Sequence, residues 1–492
     1  MTHPNQVQLI TYIDRLTGGA TADLHALLND VFPNVFGGVH LLPFYYPIDG
    51  EDAGFDPIDH TALDKRLGTW ADVQTLGEDY TLMADLIVNH MSAQSNAFKD
   101  VVAKGDASEF WDLFLTKQKV FPDGMTPEQQ ALMYRPRPTS PFTPIAVGPA
   151  RDTVDFWTTF TSNQIDIDVT SAKGKAYLDT ILATFAENNI KLIRLDAAGY
   201  AIKEAGTSCF MMEETFAFIE ALSKQANALG MTCLVEIHSY HKVQCEIAKR
   251  CDLVYDFALP PLVLHALFNK DFAPLHTWLA MAPRNCVTVL DTHDGIGIVD
   301  VGAEGSQPGL LTPDQIDALV ESIHSECDDE SRKATGAAAS NVDLYQVNCS
   351  FYSALGCDDA RYLLARAVQF FSPGTPQVYY GGLLALENDM ALLTQSQVGR
   401  DINRPYLNRE EVEQAAQKSV VQALVKLCKL RNTCAAFNGE FTQSHNATQY
   451  VMSWQNGDDV LDLVIALDTL DGVITGTDKG NTIDVRLGDW LV

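Results

Sequence analysis

At 492 residues the chain exceeds one ordinary domain, although a barrel carrying insertions can use most of that length, and 46% hydrophobic residues supply a large core. The net charge of −30, spread without a long single-sign run, excludes nucleic acid and anionic membrane as partners, because both select a basic face. Ten cysteines include no C-x-x-C pair and several sit in apolar runs (Cys233, Cys286, Cys428), which reads as reduced core thiols and not a disulfide framework.

Eight strand candidates follow in chain order: 7–14, 38–44, 82–89, 191–197, 231–237, 253–259, 286–292 and 375–380. Most are separated by stretches with helical apolar spacing, such as 176–188 and 213–229. Strands alternating with helices through right-handed crossovers make a parallel sheet, and eight repeats close it. The expected fold is therefore α/β, a (β/α)8 TIM barrel with two insertions on its C-terminal face and a small all-β C-terminal domain.

The insertions are read from two connections too long for simple crossovers. About a hundred residues separate Asn89 from Lys191, among them Tyr134-Arg135-Pro136-Arg137-Pro138-Thr139-Ser140-Pro141. About eighty separate Asp294 from Thr375, with the small-residue run Gly336-Ala337-Ala338-Ala339-Ser340. Both follow strand C-termini, so their contents should stand over the active-site face. Past about Phe437 the pattern changes to short alternating strands, 450–454 and 461–467. The expected domains are a barrel in three parts (1–89, 171–294, 356–436), inserted domains at 90–170 and 295–355, and a β-rich C-terminal domain at 437–492.

Three of the apolar runs end at a carboxylate: Ile193-Arg194-Leu195-Asp196-Ala197, Leu234-Val235-Glu236-Ile237-His238 and Val289-Leu290-Asp291-Thr292-His293-Asp294. One strand-end acid means little, since such ends often carry a solvated Asp. Three in sequence, at the C-terminal mouth of a barrel, suggest a nucleophile, an acid/base and a third carboxylate, the equipment of a retaining glycosidase.

Asp85-Leu86-Ile87-Val88-Asn89-His90, Arg194-Leu195-Asp196-Ala197, Glu236-Ile237-His238 and His293-Asp294 resemble, in order, the four signature segments of the α-amylase superfamily of glycoside hydrolases. More narrowly, six segments resemble the sucrose phosphorylases. They are Gln8-Leu9-Ile10-Thr11-Tyr12, Asp52-Ala53-Gly54-Phe55-Asp56-Pro57-Ile58-Asp59-His60, Ala205-Gly206-Thr207-Ser208-Cys209-Phe210, Thr292-His293-Asp294-Gly295-Ile296-Gly297, Asp343-Leu344-Tyr345-Gln346-Val347-Asn348 and Gly399-Arg400-Asp401-Ile402-Asn403-Arg404. The resemblance runs from about residue 6 to 435.

It implies Asp196 as nucleophile, Glu236 as acid/base and Asp294 as transition-state stabiliser. Arg194, two residues before Asp196, projects to the same side of the strand and should hold the Asp196 carboxyl ionised. His90 and His293 are implied as donors to glucose hydroxyls, Asp52 and Arg400 as a clasp on the far side of the sugar, and Phe55 as a platform beneath it. For phosphate the resemblance points to Arg137 and Tyr345 with His238 nearby, and a guanidinium suits phosphate because its planar fork binds two oxygens at once. For fructose it points to Tyr200, His238, Asp343 and Gln346.

The implied reaction is reversible phosphorolysis of sucrose to α-D-glucose 1-phosphate and D-fructose by double displacement. The same chemistry on sucrose 6′-phosphate, glucosylglycerol or glucosylglycerate stays open, as does a hydrolase or transglucosidase on this scaffold. A non-catalytic transporter or scaffold subunit is the reading from another class, and it has little reason to keep all three carboxylates. Asn89 stands where the superfamily places a calcium ligand, but no carboxylate set accompanies it, so neither metal nor cofactor is expected. No basic and apolar leader opens the sequence and no apolar run reaches ~20 residues, so a cytoplasmic location without a membrane partner is expected. A homodimer is implied by the resemblance alone.

Overall fold

The computed structural model describes residues 5–135, 140–335 and 346–492. Eight of the apolar runs form strands: β1 (Gln8–Thr11), β2 (Gly38–Leu41), β3 (Thr81–Ile87), β4 (Ile190–Asp196), β5 (Thr232–Val235), β6 (Leu253–Asp256), β7 (Cys286–Thr288) and β8 (Thr375–Tyr379). Each pairs in parallel with the next, and β8 closes on β1, with Gln8 opposite Gln377. The expected (β/α)8 barrel is thus the fold. Near-continuous burial along β1, β2, β3 and β8 follows from helices covering a sheet that is packed on both faces.

The strands are shorter than their apolar runs suggest. The run 253–259 stops being a strand at Asp256, because Leu259-Pro260-Pro261 opens the helix Leu259–Asn269 with proline in its first turn, where a missing N–H leaves no bond unmade. The run 286–292 stops at Thr288, so the acids Asp291 and Asp294 lie beyond the strand, on a segment with bends at Leu290, His293 and Asp294.

The first insertion leaves β3 and is pinned at its root, where His90–Ser92 pairs antiparallel with Gln164–Asp166. Above that root stand a helix (Asn96–Lys104) and a hairpin of Phe142–Val147 with Asp152–Trp157. The chain returns through the helix Ala172–Glu187, whose first turn is capped by Ser171, its Oγ accepting from the Gly174 N–H at 2.9 Å. A Cβ at Gly174 would sit 2.0 Å from the Asp168 carbonyl oxygen, so only glycine allows the helix to start this close to the insertion.

The second insertion leaves β7. Its root pairs Ile296–Gly297 antiparallel with Gln346–Val347, and it carries helices Pro313–Glu326 and Glu330–Thr335. The run Gly336–Ser340 lies outside the described residues. The helix Asp359–Phe371 then leads back to β8, its start capped by Asp358 accepting from the Ala360 and Arg361 N–H groups, each at 2.9 Å.

The C-terminal sheet is an antiparallel meander of β9 (Glu440–His445), β10 (Gln449–Asn456), β11 (Asp459–Ala466), β12 (Gly472–Asp478) and β13 (Asn481–Arg486). Alternate residues of β10 and β11 are buried, which places one face against the barrel helices; Trp454 on that face donates its indole N–H to the Phe371 carbonyl at 2.7 Å. Among the described residues no helix is long and apolar enough to cross a membrane.

Candidate active site

Every described residue given a catalytic or binding role from the sequence lines one pocket at the C-terminal mouth of the barrel: Asp52, Phe55, His90, Arg194, Asp196, Tyr200, Glu236, His238, His293, Asp294, Gln346 and Arg400. Arg137, Asp343 and Tyr345 lie outside the described residues. The pocket also holds Tyr134, Phe160, Gln164 and Phe210, which the sequence reading did not assign to it. Phe210 was at least within a quoted motif, whereas nothing local distinguishes Phe160.

The floor is built from strand ends. Asp196 closes β4, and Glu236 is the first residue past β5. Ala197 adopts a left-handed backbone at φ 54°, uncommon for a residue with a side chain, and its N–H donates to Glu236 Oε2 at 3.2 Å. That turn couples the residue after one acid to the carboxyl of the other. Arg194 Nη1 lies 2.5 Å from Asp85 Oδ1 and 2.8 Å from Asp196 Oδ1, with Nη2 4.0 Å from Glu236 Oε1.

Arg194 therefore divides its charge: it lowers the Asp196 carboxyl, as expected, but is outweighed there. Burial pushes the Asp196 carboxyl well above the ordinary carboxylate range; Arg194 pulls it down, while the Glu236 and Asp85 charges push it up again. Asp85, fully enclosed, is the carboxylate that stays ionised: burial raises it, but Arg194 and His40 hold it at about 2. Below the site the barrel interior is polar, with His40 2.9 Å from Asp85 and Gln377 donating to Gln8 at 2.7 Å.

Asp294 has the opposite electrostatics. Burial alone would raise it, but Arg400, His293 and Arg404 together hold it well below the usual carboxylate range. Arg400 Nη1 approaches Asp294 Oδ1 to 3.0 Å, and Arg404 Nη2 comes to 3.5 Å while its Nε donates to the His293 carbonyl at 2.7 Å. Arg400 stands 4.0 Å from Asp52, so the anticipated clasp is looser than the contact to Asp294. Asp291, the other acid of this segment, is bound to buried Arg366 at 2.6 Å and faces the core.

Phe55 and His293 stack with ring centres 4.8 Å apart and planes 8° from parallel. Burial pushes His293 down to about 3 and His90 below its ordinary value, so both are neutral imidazoles at neutral pH. His90 Nε2 donates to the Phe55 carbonyl at 2.9 Å. His293 Nδ1 and Gln164 Oε1 are buried without a hydrogen-bond partner, an arrangement suited to a ligand rich in hydroxyls.

On the opposite side, Tyr134, Tyr200 and Phe210 form an aromatic wall, with Phe210 4.4 Å from Tyr134 and 4.6 Å from Tyr200 between ring centres. His238 stacks on Phe257 at 3.8 Å, and its Nε2 lies 4.0 Å from Glu236 Oε1.

The oxygens around Asn89 are taken by an ammonium group. Lys203 Nζ lies 3.0 Å from Asn89 Oδ1 and 2.9 Å from Asp166 Oδ2, and it donates also to the Tyr200 carbonyl. These three ligands come from the end of β3, the root of the first insertion and the segment after β4. Among the described residues no group of three or more His, Cys, Asp or Glu side chains is arranged to hold a metal ion.

The chain matches the family model of the α-amylase catalytic domain over residues 35–246. It is 54% identical over 477 residues to a sucrose phosphorylase of Agrobacterium vitis, spanning 96% of this chain and 97% of that one. Against a sucrose phosphorylase of Bifidobacterium adolescentis the identity is 50% over 455 residues, spanning 92% and 90%. The crystal structure of sucrose 6F-phosphate phosphorylase from Thermoanaerobacter thermosaccharolyticum superposes with a TM-score of 0.91 at 37% identity, covering 99% of each chain.

Proposed function

The chain belongs to the sucrose phosphorylase family, whose barrel is of the α-amylase type, and on that premise we propose that it interconverts sucrose and phosphate with α-D-glucose 1-phosphate and D-fructose. It is a phosphorylase of the hexosyltransferase kind. The observation that carries the reading is the meeting of Asp196 and Glu236 in one pocket, linked through the Ala197 N–H and Arg194, beside an Asp294 held ionised by guanidinium groups.

In the first displacement Asp196 attacks the anomeric carbon while Glu236 donates its proton to the glycosidic oxygen, and fructose leaves. For this step the proton has to sit on Glu236 when attack begins. Asp294, ionised throughout, faces the positive charge that develops on the sugar ring. Asp52, Phe55, His90, His293 and Arg400 seat the glucosyl unit. In the second displacement an oxygen of hydrogen phosphate attacks the same carbon, the ester bond to Asp196 breaks, and Glu236 takes up the proton that the phosphate gives up. Two inversions leave the configuration retained. His238, Tyr200 and Gln346, with Arg137, Asp343 and Tyr345, would receive fructose and phosphate in turn.

Sucrose 6′-phosphate is the second reading, motivated by the fold shared with the phosphorylase of that substrate. Sucrose itself is favoured by the higher identity to the sucrose phosphorylases, 54% and 50%, than to the solved structure, 37%.

A coupled assay for glucose 1-phosphate from sucrose, with and without phosphate, tests the proposal. Phosphate-dependent product supports it; equal release of glucose and fructose in both tubes makes the protein a hydrolase. Activity on sucrose 6′-phosphate alone selects the second reading. The same reading has the enzyme acting in the cytoplasm as a homodimer. Its ten free thiols suit a reducing compartment. A single monomeric boundary in sedimentation at micromolar concentration would refute the dimer.

A further inference from the structure

We propose that Asp300, on the short helical turn Val299–Val301, is a positioning residue that biases the second displacement toward an anion, by fixing His238 with an N–H directed at the acceptor side of the pocket. This rests on the phosphorylase reading, which puts His238 on the acceptor side and leaves open what orients it.

Asp300 is fully buried, and a buried carboxylate must be bonded on all sides. Oδ1 accepts from the Ser239 N–H at 3.1 Å and from Gln244 Nε2 at 2.5 Å, and Oδ2 stands 3.1 Å from His238 Nδ1. An ionised carboxylate only accepts, so Nδ1 carries a hydrogen. The ring has no freedom to turn away. Phe257 stacks on it with planes 16° from parallel, and on another side a Cβ at position 297 would lie 3.2 Å from ring atoms and 3.0 Å from Asp300 Oδ2. Glycine at 297 is what lets the pair approach.

The second nitrogen, Nε2, lies 3.3 Å from the Gln346 side-chain amide nitrogen. Gln346 Oε1 is buried without a partner. An amide turned so that Oε1 meets Nε2 satisfies that oxygen only if Nε2 also carries a hydrogen, which makes the ring an imidazolium. The groups facing His238 agree with this. Burial opposes the charge, but Asp300, then Glu236 at 4.0 Å and then Asp294 outweigh it and hold the imidazole above its ordinary value; Gln346, Phe257 and Gly297 are uncharged. A phosphate oxygen that takes the place of the Gln346 amide at this cationic N–H, beside Glu236, is bound more strongly than water or a sugar hydroxyl. Asp300 therefore acts chiefly after fructose has left.

The test is Asp300→Asn, which keeps the shape and removes the charge. The KM for phosphate is expected to rise on the order of tenfold, the loss of one charge-assisted hydrogen bond. Glucosyl transfer from sucrose to glycerol, a neutral acceptor, should change less than about threefold. The alkaline limb of the phosphate-dependent rate should move to lower pH than in the wild type, since the imidazole loses its proton sooner. An unchanged phosphate KM and pH limb in folded Asp300→Asn overturns the proposal, and so does an equal loss with phosphate and glycerol, which would make Asp300 merely structural. Should that variant not fold, Gln244→Leu loosens the same carboxylate; a smaller rise in phosphate KM supports the assignment and no rise overturns it. Wild-type protein that makes no glucose 1-phosphate sinks the phosphorylase reading itself, and this assignment with it.

Discussion

Asp196 and Glu236 occupy equivalent places at neighbouring strand ends, and their proposed roles separate by what each does to the leaving group. Asp196→Ala should lose at least about 10⁴-fold in turnover on any glucosyl donor, because the proposed mechanism assigns attack on the anomeric carbon to Asp196 alone. Glu236→Gln should cost on the order of a thousandfold on sucrose but far less on α-glucosyl fluoride, whose leaving group needs no proton. Steady-state rates on both donors check this, and equal losses would refute the acid role. Both acids were legible because each ends an apolar run. Asp291 marks the limit of that signal: it occupies the same kind of position but binds buried Arg366 at 2.6 Å, and only the resemblance separated it from Asp294. Asp300 carried no local signal at all, since it meets its histidine across 62 residues of chain, and Arg404 stood in a segment that carried the resemblance without a role of its own.

At the scale of elements, two buried groups tie segments together, and each makes a stability prediction. Lys203 joins the end of β3, the first insertion and the loop after β4, with its ammonium group and the Asp166 carboxylate both almost fully enclosed. Lys203→Met leaves that carboxylate buried and unpaired, so it should destabilise the fold by about 3 kcal/mol, read by urea denaturation. A change near zero would mean that water replaces the ammonium. Asp256 ends β6 and accepts from the Trp278 indole at 2.9 Å and from the Leu259 N–H at 3.1 Å, fastening two helices to the barrel. Burial pushes this carboxyl up to about 7 against the lowering effect of those donors. The folded state thus holds a proton that the unfolded chain releases above its ordinary value near 3.8, so this group's stabilising contribution declines as pH rises toward 7 and is constant above it. Melting temperatures between pH 5 and 7 should fall more steeply for the wild type than for Asp256→Asn; parallel curves would show that Asp256 does not titrate there. The strands and the helices between them were readable as alternating periods, but their ends were not: β6 stops at Asp256 because of prolines already inside the next helix.

Across the whole molecule, the charge of −30 opposes the approach of phosphate, and salt shortens the reach of that repulsion from ~30 Å at 0.01 M to ~8 Å at 0.15 M. The apparent kcat/KM for phosphate should therefore rise roughly twofold over that range while that for neutral sucrose stays flat. Equal response of both substrates would show that local cations and not the net charge govern entry. The sequence by itself determined the closed barrel, its two insertions and the acids at β4 and β5, because strand period, apolar runs and strand-end residues are properties of neighbouring positions. Only the tertiary structure decided the charge state at each place. Asp294 is kept ionised by Arg400 and Arg404, Asp196 is raised by burial while Arg194 is shared with Asp85, and His238 is held by Asp300. The reason is physical: ionisation depends on burial and on partners within a few ångströms, and those partners are brought together from distant parts of the chain only by the fold.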